Sequence, residues 1–273
     1  MSAYFNDTFI AGEEVKLHVA DLSIQRGYAV FDFCRTVNRK PLFINDHLDR
    51  FFASAAAMYL PVNKTREELI HIIEQLIHQS SLPEAGIRIM LTGGYSPDTY
   101  TPAVPNLLIT CNPVKTATEA DFEKGVSVIS FEHQRELPHI KTINYTMAVW
   151  LQPLVKEKKA DDVLYHHNKI ITEFPRSNVF VVTKDNRLLT PARNMLKGIT
   201  RKQVLSLAAA ILPVEERDIH REEVYDAAEL FLTSTSKKIM PVVRIDDIVI
   251  GDGKPGVITR EVYRRFLEKE KNH

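Results

Sequence analysis

Apolar residues recur at two different spacings along this chain, and the changes between them outline its elements. Residues 3–20 alternate in short strand-like runs, with turn residues at Asn6-Asp7 and Glu13-Glu14. Gly27-Tyr28-Ala29-Val30-Phe31-Asp32-Phe33 reads as a strand opening on a glycine. A hairpin follows, in which Val37 and Leu42-Phe43-Ile44 flank Asn38-Arg39-Lys40-Pro41. The spacing then becomes helical at Leu48, Phe51, Phe52, Ala55 and Tyr59, with Asn45 or Asp46 as the expected cap and Pro61 as the end. His47 and Arg50 share one face of that helix. Thr65 and Glu68 form a capping box for a second helix, whose buried stripe is Leu69, Ile72, Ile73, Leu76 and Ile77. Strands are expected at residues 87–92 and 107–111, separated by Gly93-Gly94 and a loop rich in Pro, Tyr and Thr.

Residues 112–122 are polar and lack periodicity, which marks a boundary between a small N-terminal α+β domain, residues 1–115, and a larger C-terminal domain, residues 116–273. The second half opens with a strand at 126–129. An apolar helix is expected to run through Trp150 and Leu154, restarted or kinked by Pro153. Hairpins turn at His167-Asn168 and at Asp185-Asn186. Thr200 is placed to cap a helix over 201–211, with Gln203 completing the box. A buried strand at 230–232, a hairpin over 242–250 and a helix over 258–269 close the chain.

Composition narrows the class. The chain has 273 residues, 44% of them hydrophobic and 26% charged, as in a globular protein, and its zero formal net charge gives no bulk attraction to nucleic acid or anionic membrane. No apolar run reaches membrane-spanning length, and a charged-then-apolar leader is not evident, so a cytoplasmic protein is expected. Cys34 and Cys111 sit in apolar runs without metal or redox spacing and read as buried free thiols. His166-His167 is the only adjacent histidine pair, which gives a metal site little support.

Four stretches carry candidate chemistry. Lys141 stands in the run Ile140-Lys141-Thr142-Ile143, where an amine is either a surface group guarding an edge strand or a partly desolvated nucleophile. Burial favours the neutral amine, which is the form that traps a carbonyl as a Schiff base. In Lys197-Gly198-Ile199-Thr200 a glycine leads into a helix start, where free N–H groups suit a phosphate. The hydroxyl run Thr233-Ser234-Thr235-Ser236 follows a buried strand and is either a second phosphate contact or a plain turn. Glu173 ends an apolar strand, where a carboxylate needs a cation, and a protonated pyridine nitrogen would be one. Amine, phosphate cradle and carboxylate together describe a pyridoxal 5'-phosphate site.

With these residues in place the sequence resembles the class IV aminotransferases, the fold type IV pyridoxal phosphate enzymes. That family includes D-amino-acid and branched-chain aminotransferases and aminodeoxychorismate lyases. The resemblance runs from Gly27 through His47-Leu48-Asp49-Arg50, Ile140 to Asn144, Thr172-Glu173 with Ser177-Asn178, and Lys197 to Arg201, to Thr233-Ser234-Thr235. It implies a two-domain α/β (α+β) fold with a barrel-like C-terminal domain, a homodimer, and an active site at the domain boundary. It also implies that Lys141 forms the Schiff base and moves the substrate proton. Glu173 would hold the ring nitrogen, and Arg50, Ser177, Asn178, Ile199, Thr200, Ser234 and Thr235 would contact the cofactor. Phe31 would lie near the substrate. An amino acid and a 2-oxo acid are the implied substrates; a lyase releasing pyruvate from aminodeoxychorismate is the alternative, and a silent cofactor-binding homologue a third.

The sequence departs from the family pattern in three places. The glycine-rich strand reads Gly-Tyr-Ala-Val-Phe-Asp where relatives favour Gly-Asp-Gly-Val-Phe-Glu. Phe174-Pro175-Arg176 replaces a commoner Gly-Ser pattern. The loop Tyr95-Ser96-Pro97-Asp98-Thr99-Tyr100 lacks the arginine and histidine that D-amino-acid enzymes place there. Arg88, Arg176 and Arg26 are therefore the candidate anchors for a substrate carboxylate, with Arg88 and Arg176 ahead of Arg26.

Overall fold

The computed structural model describes residues 2–273. The chain divides into two compact units. One runs to Lys115 and adds Ile140–Asn144 and His273; the other is Thr116–His139 with Tyr145–Asn272.

The first unit is built on strands β1 (Ser2–Phe5), β2 (Thr8–Ala11), β3 (Ala29–Val37), β4 (Lys40–Pro41), β5 (Ala85–Thr92) and β6 (Leu107–Pro113). They form an antiparallel sheet in the order β2-β1-β6-β5-β3-β4. Helices α1 (Leu22–Arg26), α2 (Ile44–Ala57) and α3 (Arg66–Gln79) complete the unit. The register pairs Val30 with Leu91, Asp32 with Ile89 and Cys34 with Ile87. Strand alternation sends these residues to one face, and the apolar ones pack with Leu48, Phe51, Leu69 and Ile73 in the core. Phe31, Phe33, Arg88 and Met90 therefore share the opposite face.

The short segment around Lys141 extends this sheet beside β3. Val30 bridges Thr142, Phe31 N–H donates to the Lys141 carbonyl at 2.9 Å, and Ile143 N–H donates to the Ala29 carbonyl at 3.2 Å. Alternation sends Ile140 into the core and Lys141 to the face of Phe31.

The second unit contains α4 (Glu119–Lys124), β7 (Val126–Glu132), α5 (Thr146–Trp150), α6 (Gln152–Glu157), β8 (Asp162–His167), β9 (Ile170–Ile171), β10 (Asn178–Val182) and β11 (Leu188–Thr190). It continues with α7 (Ile199–Ala208), β12 (Val214–Glu216), α8 (Arg221–Tyr225), β13 (Glu229–Ser234), β14 (Lys238–Ile245), β15 (Ile248–Val249) and α9 (Val257–Lys271). Nine strands form a mixed sheet in the order β12-β11-β10-β13-β14-β7-β8-β9, with β15 on β14. The pairs β7–β8, β7–β14 and β11–β12 are parallel. Its core includes Val128, Leu164, Val179, Leu189, Leu232 and Val242.

The capping box at Thr65, the stripe of α3 and the restart at Pro153 match the sequence expectations. Several boundaries differ. Gly27 opens no strand; at φ 65° it closes α1, a helix the sequence reading did not anticipate, because only glycine adopts that conformation freely. Helix α2 starts before Asn45 and Asp46, which lie in its first turn, and Phe43 is its N-cap residue. It ends at Ala57, so Tyr59 lies beyond it and is exposed. Gly198, not Thr200, is the N-cap residue of α7; Thr200 lies within the first turn, and the helix stops at Ala208. The polar stretch 112–122 holds the end of β6 and a capping box at Thr118 and Asp121 that starts α4. No helix among the described residues is long and apolar enough to cross a membrane.

Candidate active site

In the first unit, Lys141 is fixed by its backbone. Its N–H donates to Ser54 Oγ of α2 at 3.2 Å, while its carbonyl is held by β3. The side chain is half-buried, and Nζ lies 4.6 Å from the centroid of the Phe31 ring. Arg88 also lies over this ring, with Cζ 4.9 Å from the centroid. The register explains the meeting: Phe31 faces Met90 and Phe33 faces Arg88, so Phe31 and Arg88 are diagonal neighbours on one face. Arg88 is exposed. Arg26, at the end of α1, is exposed as well, and its Nη2 donates to Thr99 Oγ1 at 3.2 Å in the loop after Gly94. Asp98 shapes that loop by accepting from the N–H groups of Tyr100 and Thr101.

On the other face of the same sheet, Arg50 and His47 of α2 converge on Asp32. Arg50 Nε donates to Oδ2 at 2.8 Å and Nη2 to Oδ1 at 2.9 Å, and His47 Nδ1 lies 2.6 Å from Oδ1. Burial alone would raise the Asp32 pKa, but the Arg50 charge and the hydrogen bonds from Arg50 and His47 outweigh it and hold the carboxyl well below its ordinary range. Burial pulls the His47 pKa down, so the neutral imidazole is favoured. Sequence reasoning placed His47 and Arg50 on one face but missed Asp32 as their partner. The signal was available, since an aspartate on the core face of an apolar strand requires a cation.

In the second unit, the Leu196 peptide ties Glu173 to Asn178. Its N–H donates to Glu173 Oε2 at 3.0 Å, and its carbonyl accepts from Asn178 Nδ2 at 2.7 Å. Helix α7 begins directly after this loop. At Gly198 an added Cβ would lie 2.1 Å from Asn178 Oδ1, so the loop passes too close to Asn178 for a side chain. Gly198, the N-cap residue of α7, has no side chain with which to cap the first turn, and a helix start leaves the N–H groups of Ile199 and Thr200 without intrahelical partners. Ser177 Oγ and Thr233 Oγ1 are buried without a hydrogen-bond partner.

Glu173 is itself buried, and its cation is a protein residue that sequence reasoning missed: Arg135 Nε donates to Oε1 at 2.7 Å. Phe174 and Ser177 exchange backbone hydrogen bonds around Pro175 and Arg176, so Arg176 stands exposed at the tip of a tight turn. Ser234 Oγ accepts from Lys237 N–H, and this contact holds the turn at Thr235-Ser236.

The family model for class IV aminotransferases matches residues 29–245. The chain belongs to the class IV aminotransferases. It is 29% identical to a D-alanine aminotransferase of Staphylococcus haemolyticus over 270 residues, covering 96% of this chain and 95% of that protein. A D-alanine aminotransferase of Listeria monocytogenes is 28% identical, with 98% and 96% covered. Among solved structures, the branched-chain amino acid aminotransferase of Escherichia coli superposes with a TM-score of 0.88 at 25% identity, covering 97% of this chain and 92% of that one. A hypothetical aminotransferase from Mycobacterium tuberculosis in its PLP-bound form gives 0.83 at 21%, covering 99% and 98%. The chain has the fold type IV architecture, is an enzyme and uses pyridoxal phosphate. The second unit's donor set suits that cofactor: a buried carboxylate for a ring nitrogen, uncapped N–H groups for a phosphate, and two buried hydroxyls without partners.

Proposed function

We propose that this aminotransferase passes the amino group of an α-amino acid, of the D-amino-acid or branched-chain type, to a 2-oxo acid, and that it works in the cytoplasm as a homodimer with Lys141 as the cofactor-binding amine. The observation that carries this reading is the Phe31 ring, over which both Lys141 Nζ and Arg88 Cζ lie. An amine that can take a proton from the substrate α-carbon and a guanidinium suited to an α-carboxylate share one aromatic platform. The similarity to D-alanine aminotransferases along almost the whole chain supports the substrate class.

In this reading Lys141 moves the proton at the substrate α-carbon, Phe31 lines the substrate position, and Arg88 grips the carboxylate. Arg176 and Arg26 are the alternative anchors. Glu173 keeps a proton on the cofactor's ring nitrogen. Arg50, Ser177, Asn178, Ile199, Thr200, Ser234 and Thr235 hold the cofactor, with the phosphate at Arg50 and the start of α7. When bound, the cofactor supplies an electron sink for the charge that develops on the substrate carbon. The test is a half-reaction screen with D- and L-amino acids. One set should discharge the absorbance of the lysine-linked cofactor, and a 2-oxo acid should restore it. Release of pyruvate from aminodeoxychorismate with no acceptor present would replace this reading with a lyase.

A further inference from the structure

The Arg135–Glu173 pair has a consequence for the cofactor, and it rests on the reading that Glu173 faces the ring nitrogen. Arg135 lies between β7 and Ile140. Its Nε donates to Glu173 Oε1 at 2.7 Å, and its Nη2 donates to the Pro138 carbonyl at 2.5 Å. Gln134 beside it donates to the carbonyls of Arg135 and Asn194, each at 3.3 Å. The guanidinium is therefore fixed to the loop as well as to the carboxylate. Both side chains are largely withdrawn from water, at 18% and 6% exposed. From the other side, Leu196 N–H donates to Oε2.

We propose that Arg135 is a positioning residue that keeps Glu173 ionised and oriented, so that the proton shared between carboxylate and cofactor resides on the ring nitrogen. A carboxylate in so dry a place would otherwise favour its neutral form. Glu173 would then carry the proton and donate it in a hydrogen bond, and the ring nitrogen would be left as a neutral acceptor. Arg135 touches the carboxylate directly, whereas the ring nitrogen would bind beyond it. The arginine's charge therefore stabilises the anionic carboxylate more than it repels a protonated ring. Each carboxylate oxygen accepts more than one hydrogen bond, so the contact with Arg135 leaves Glu173 able to serve the cofactor. A protonated ring nitrogen is what makes the ring an electron sink, so Arg135 would act on the reaction through Glu173.

The experiment is nitrogen NMR of the holoenzyme loaded with ring-15N pyridoxal phosphate, read together with cofactor affinity. The native protein should show a protonated ring nitrogen. In Arg135→Gln the signal should move to the neutral position while the protein still binds cofactor, and Arg135→Lys should restore the protonated signal. Should Arg135→Gln not fold, Arg135→Met fills the space without charge and is read in the same way. Glu173→Gln separates the two readings. Loss of the protonated signal in Glu173→Gln but not in the uncharged Arg135 variants would overturn the role of Arg135 alone. A protonated signal that survives Glu173→Gln would overturn the reading of Glu173 beneath it.

Discussion

Asp32 and Arg50 form a two-point ion pair, with one guanidinium nitrogen on each carboxylate oxygen, and Asp32 is fully buried. Removing one partner of such a pair leaves an uncompensated charge and typically costs roughly 3–5 kcal/mol. Asp32→Asn is expected to lower stability at neutral pH by an amount in that range, measured by urea unfolding. The pair also sets a pH dependence. Because the folded-state pKa of Asp32 lies below its unfolded value, its contribution is complete above about pH 4 and is lost as the pH falls further. The stability gap between native protein and Asp32→Asn should therefore shrink in acid. A gap that stays constant down to strongly acidic pH would contradict it.

Arg50 has a second expected partner in the cofactor phosphate. Arg50→Lys keeps a charge for Asp32 but loses the planar fork that could serve two anions at once. Charge-assisted hydrogen bonds are worth roughly 1.5–3 kcal/mol, so cofactor affinity should fall by about tenfold or more, at about 1.4 kcal/mol per decade. The fold should persist. Fluorescence titration of the cofactor-free variant measures this, and an unchanged affinity would leave Arg50 a purely structural residue.

Lys141→Ala should abolish turnover while the circular dichroism spectrum stays native, because the segment is held by backbone contacts to Ser54, Ala29 and Phe31. Borohydride reduction of the native holoenzyme should attach the cofactor to Lys141. Mass spectrometry that finds it on another lysine would remove Lys141 from the chemistry.

The sequence was most legible where a local rule decides the structure. The capping box at Thr65, the stripe from Leu69 to Ile77 and the alternation at 87–92 depend on neighbours a few residues away, and all three appear in the fold. Helix starts were less legible. Gly27 ends α1 in a left-handed conformation and Gly198 begins α7 where Asn178 leaves no room for a side chain, so each leaves only a glycine as a trace. Partners remote in sequence were only half legible: a carboxylate in an apolar strand signals the need for a cation at Glu173 and Asp32, but nothing beside them identifies Arg135 or Arg50 as that cation. The pairing of Lys141 with Phe31 and Arg88 depends on strand register, which the alternation of 87–92 constrained to a face but not to a neighbour.

Gly198→Ala tests the loop that leads into α7. The backbone there, at φ −68° and ψ 144°, accepts alanine without strain. The nearest obstacle is Asn178 Oδ1, 2.1 Å from the added carbon. Alanine should therefore push the loop away from Asn178 and weaken cofactor binding. Asn178→Ala loses the bond to Leu196 but clears the space. In a double-mutant cycle the two changes should be less than additive, because the second relieves the clash made by the first. Strict additivity of cofactor affinities would show that the two residues do not share this contact.

Arg88→Ala tests how the substrate carboxylate is held. It is exposed over the Phe31 ring, on the face opposite the buried stripe of Ile87, Ile89 and Leu91. An arginine there either rests on the aromatic face, where cation–π attraction is worth about 0.5–1 kcal/mol at exposed sites, or binds the α-carboxylate of a substrate whose amino group lies near Lys141. The first use predicts a small loss of stability and no kinetic effect. The second predicts that Arg88→Ala lowers kcat/KM by roughly a hundredfold or more, about 2.8 kcal/mol at 1.4 kcal/mol per decade, while the absorbance of the lysine-linked cofactor stays native. Steady-state kinetics with the best amino donor separate the two, and Arg26→Ala and Arg176→Ala measured alongside identify any substitute. A decrease in Arg176→Ala alone would move the anchor to the turn after Glu173. Full activity in all three variants would assign the carboxylate to backbone N–H groups, with those near Thr235-Ser236 as the next site to probe.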